Sequence, residues 1–107
     1  MVLATAPAGE AARELARALV GERLAACVNV IPGLTSVFHW EGAVAEDAEA
    51  LLVIKTSTDL LADLERRLVE LHPYDVPEFV ALAPERVEER YLAWLLNAVT
   101  PPPKNDA

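Results

Sequence analysis

Apolar and polar positions along this chain change period several times, and each change marks an element. Val2 to Ala6 is a short apolar run closed by Pro7 and Gly9, which predicts a first strand. From Glu10 the spacing becomes helical. Ala12, Leu15, Ala16, Leu19 and Val20 recur on one side while Glu10, Arg13, Glu14 and Arg17 fall on the other, and Gly21 marks the end. Ala25 to Ile31 is apolar and β-branched. Pro32-Gly33 interrupts it, and Leu34 to Trp40 resumes with Val37, Phe38 and Trp40. These segments read as one long strand with a bend or bulge at Pro32-Gly33. Glu41-Gly42 is a turn signal. Ala43 to Glu49 is acidic and reads as a connection, and Ala50 to Thr56 is a nearly continuous apolar strand expected at the sheet centre, buried on both faces. Ser57 or Thr58 is the expected cap of a second helix with the stripe Leu60, Leu61, Leu64, Leu68 and Leu71, stopped by Pro73. After the loop His72-Pro73-Tyr74-Asp75-Val76-Pro77, a fourth strand is expected over Glu78 to Ala83. A last helix is expected over Glu85 to Val99.

The order β-α-β-β-α-β followed by a helix is the split βαβ arrangement. It predicts a ferredoxin-like α+β fold: an antiparallel sheet, a long central hairpin and a C-terminal helix. The 107 residues suit a single domain over 1–100, with a polar, proline-rich tail at 101–107 expected to be disordered.

Just over half of the residues are apolar, enough for a packed core, yet a domain this small gains from association. The hairpin sharpens that expectation. Its arms, about Ala25 to Trp40 and about Ala43 to Thr56, exceed the first and last strands, so the hairpin projects and leaves open edges. Trp40, Phe38 and Val37 then sit where one chain cannot bury them, and Tyr91 and Trp94 on the last helix add apolar surface. Pairing between copies in a closed ring resolves both.

The formal charge of −8 opposes binding to phosphate backbones and leaves nucleic acid out of the expected partners. No apolar run approaches the roughly 20 residues of a membrane-spanning helix. The start lacks a basic segment, so the expected compartment is the cytoplasm. Cys27 is the single cysteine, which excludes an intrachain disulfide and a zinc site built from several cysteines. No phosphate-binding glycine loop, His-Glu-x-x-His spacing or nucleophile motif occurs, so no enzyme is expected.

Several segments together resemble the CutA family of divalent-cation tolerance proteins. They are Arg23-Leu24-Ala25-Ala26-Cys27-Val28-Asn29-Val30-Ile31-Pro32-Gly33-Leu34-Thr35-Ser36, Trp40-Glu41-Gly42, Leu51 to Thr56, His72-Pro73-Tyr74-Asp75-Val76-Pro77-Glu78 and Tyr91-Leu92-Ala93-Trp94. The resemblance covers nearly the whole chain. It implies a ferredoxin-like subunit, a homotrimer with an architecture similar to PII signalling proteins, and a link to divalent metal ions, copper above all.

The expected site lies in a cleft between subunits, where His72, Tyr74 and Glu78 of one chain meet Lys55 or Trp40 of another. Cys27 reads either as a small apolar strand residue or as a soft copper donor. His72 reads either as a helix-terminal imidazole or as a metal ligand or proton-transfer group. Lys55 either reaches to solvent, binds an anion or pairs with Glu78. His39 reads as an exposed strand residue, and Glu46, Asp47 and Glu49, which lack the spacing of a calcium loop, as a solvated acidic stretch. The expected function is metal-ion binding and response, copper included. The alternative is a PII-like module binding a small metabolite at the subunit cleft.

Overall fold

The structure, a computed structural model, describes residues 1–102; the expected tail lies, from residue 103 onward, outside the described residues. The elements are β1 (Val2–Pro7), α1 (Glu10–Gly21), β2 (Cys27–Trp40), β3 (Ala43–Lys55), a short 3-10 turn (Thr58–Leu60), α2 (Leu61–Leu71), β4 (Val80–Ala81) and α3 (Glu89–Ala98). One antiparallel sheet runs in the order β2-β3-β1-β4, the ferredoxin-like arrangement. Antiparallel partners Val2↔Ile54, Ala4↔Leu52 and Ala6↔Ala50 bury one sheet face. Ala12, Leu15 and Leu19 of α1 and Leu64 and Leu68 of α2 close the core over that face. Leu51 and Val53, of opposite parity on β3, stay half-buried, so the central strand is covered fully on one face rather than on both. α3 docks through a smaller cluster of Leu95, Val99 and Ala26, and Arg23 donates to the Ala98 carbonyl at 2.8 Å.

The acidic stretch Ala43–Glu49 is strand, not connection. It pairs with β2 from Trp40↔Ala43 to Leu34↔Glu49. The turn between is Glu41-Gly42, both with positive φ (50° and 80°), the primed two-residue geometry whose twist matches the strands. At the bulge, Pro32 and Gly33 stand opposite Ala50 between the pairs Ile31↔Leu51 and Leu34↔Glu49, with Gly33 at φ 81°. The extra residue shifts the parity of β2. Leu34, Ser36, Phe38 and Trp40 thereby come to the same face as Asp47 and Glu49; a regular strand would send them to the other side.

β4 is two residues long, against the expected Glu78–Ala83. Met1 and Leu82 exchange both of their backbone hydrogen bonds, so the odd residues of β1 present their outer edge to β4. The last pair outward is Leu3↔Val80, and the same register continued would bring Glu78 opposite Thr5. At Thr5 the carbonyl is taken by the imidazole of His72, 2.8 Å away, and the ladder has ended. α3 starts at Glu89 rather than Glu85, because Glu88 caps it by accepting from the Tyr91 N–H at 2.9 Å. Neither Ser57 nor Thr58 caps α2 with its side chain; the chain enters it through the 3-10 turn.

Candidate functional site: an acidic cleft beside the hairpin

The loop after α2 runs against the base of the projecting hairpin and holds itself there by three hydrogen bonds. The Tyr74 N–H donates to His72 Nδ1 at 3.1 Å. An N–H cannot accept, so Nδ1 is the acceptor and Nε2 carries the hydrogen, which it donates to the Thr5 carbonyl. The Tyr74 hydroxyl reaches Glu49 Oε2 at 2.9 Å, and the imidazole and phenol rings lie 4.7 Å apart. His72 is 7 % exposed and Glu49 6 %.

A cleft of about 580 Å³ opens between this loop and the hairpin. Its aromatic lining is Phe38, Trp40 and Tyr74; its ionisable lining is Asp47, Glu49, Asp75 and Glu78; among the described residues no lysine or arginine lines it. Burial, with the Glu49 carboxylate adding to it by hydrogen bond and by charge, pushes the Tyr74 phenol up to about 12. The folded chain therefore holds this proton more tightly than the unfolded chain, whose tyrosine titrates near about 10. The resulting stabilisation is whole below that value and drains away as pH rises through about 12. An alkaline ultraviolet titration of a Tyr91→Phe variant, which leaves Tyr74 as the sole tyrosine, is expected to show that late midpoint. Glu49→Gln is expected to bring it down part of the way; a midpoint near the ordinary tyrosine value in Tyr91→Phe itself would contradict the Tyr74–Glu49 geometry.

The structure brings Trp40, Tyr74 and Glu78 to one cleft, with His72 packed behind Tyr74. Within one chain it does not bring Lys55 there. Lys55 lines a separate cavity of about 830 Å³ with Thr56, Ser57, Thr58 and Tyr91. Six positions along β3 separate it from Glu49, about 20 Å. It forms no ion pair with Glu78 among the described residues. Cys27 and His72 are also apart in one chain. Cys27 pairs with Lys55, whereas the imidazole caps Thr5, which pairs with Leu51; the four positions between amount to about 13 Å along the strands. Both ring nitrogens of His72 are already engaged, and among the described residues no three His, Cys, Asp or Glu side chains converge to hold a metal ion. Within one chain, therefore, His72 and Cys27 do not converge. Sequence reasoning missed Asp47 and Glu49, reading them as solvated. The available signal was parity: once Ala43–Glu49 is strand, Glu49 falls in step with Leu51 and Val53.

The family model described as CutA1 divalent ion tolerance protein matches residues 1–98. The chain belongs to that family. The divalent-cation tolerance protein CutA of Thermus thermophilus is 54 % identical over 95 residues, spanning 89 % of this chain and 92 % of that protein. The chloroplastic protein CutA of Arabidopsis thaliana is 47 % identical over 98 residues, 92 % of this chain but 54 % of its own length. Among solved structures, the divalent cation tolerance protein of Thermus thermophilus superposes with a TM-score of 0.87 at 52 % identity, covering 91 % of this chain and 94 % of that one. The CutA1 of Pyrococcus horikoshii superposes with a TM-score of 0.89 at 37 % identity, covering 94 % and 97 %. CutA membership and the ferredoxin-like fold thus agree.

Proposed function

We propose that this CutA chain serves divalent-cation tolerance as a non-enzymatic homotrimer that binds metal ions, copper among them, at the acidic cleft. The observation that carries this reading is the lining of the cleft, four carboxylates with no cationic side chain among the described residues. Such a pocket raises the local concentration of cations and disfavours anions. Carboxylate oxygens bind divalent ions, and copper(II) accepts oxygen donors without needing a thiolate. A single chain does not supply a closed ligand set, so the remaining ligands come from a second copy seated against the projecting hairpin.

Calorimetric titration of the full chain with copper(II) chloride tests this. Saturable binding is expected, weakened about tenfold in Glu49→Gln, since a buried carboxylate–cation contact exceeds the 1.4 kcal/mol that a factor of ten represents. Cys27→Ser is expected to bind as the parent does. Absence of saturable binding, or binding indifferent to Glu49→Gln, would remove the cleft from the function.

A further inference from the structure

We draw no further inference here: the strongest candidate, the apolar groove of about 830 Å³ between α3, β4 and residues 55–59, carries none, because its lining is an unpartnered apolar face and nothing in the structure shows what covers it.

Discussion

His72→Ala is expected to cost the fold about 2–5 kcal/mol while leaving copper affinity at the cleft close to that of the parent. The stability loss follows from the two groups that the imidazole satisfies. Without it, the Thr5 carbonyl and the Tyr74 N–H both lose their partner. A buried polar group left unpaired costs about 1–3 kcal/mol, and the ring contact with Tyr74 goes as well. β4 cannot take over at Thr5, because the ladder ends at Leu3↔Val80 and the loop would have to re-form as strand. The unchanged affinity follows from the same geometry: neither ring nitrogen is available to a metal ion while the hydrogen bonds stand. Thermal unfolding and calorimetry on the same samples decide it. A variant as stable as the parent would contradict the structural role. A variant that stays folded but loses copper binding would restore His72 as a ligand.

The two faces of His72 show how far the sequence reaches. Its place at the end of α2, before Pro73, is legible from the leucine stripe and the proline. Its partner, Thr5, lies 67 residues away and is specified by the sheet order, which no local pattern carries. The same division holds along the chain. β1, α1, the leucine stripe of α2 and the bulge at Pro32-Gly33 are legible because burial imposes a period on them or because proline and glycine punctuate them. Ala43–Glu49 is not, since a projecting ribbon packs on neither face over most of its length in one chain and so needs no alternation of apolar and polar residues. Its register comes instead from the Glu41-Gly42 turn, and Glu49 enters the site only through that register. The late starts of β4 and of α3 also escape a local reading. Both are set by side chains, His72 and Glu88, that capture backbone groups ahead of the regular ladder or helix.

The largest effect is expected from replacing Val37 and Val44 together by aspartate. The parent is expected to sediment at three chain masses at micromolar concentration, and Val37→Asp/Val44→Asp at one, with the circular dichroism of the two alike. The hairpin beyond β1 is six residues of β3, Ala43 to Ala48, about 20 Å of ribbon with no third strand beside it. On one of its faces Val37 is 61 % exposed and Val44 66 %, and on the other Trp40 is 50 % exposed. The outer edge of β2 is unpaired along the described chain, because β2 is the first strand of the sheet order. An apolar two-stranded arm with an open edge is unstable alone in water and adheres to another strand. Full burial of a valine side chain contributes about 1.5–3 kcal/mol, so the pair contributes roughly 3–6 kcal/mol per chain, enough to move the association constant by about two orders of magnitude or more. Neither valine belongs to the core clusters of the single chain, so their replacement leaves the subunit fold intact. A parent that sediments as one chain, or a double variant that still assembles, would show that these valines are not where copies meet. The cleft would then have to supply every contact to its cation from one chain.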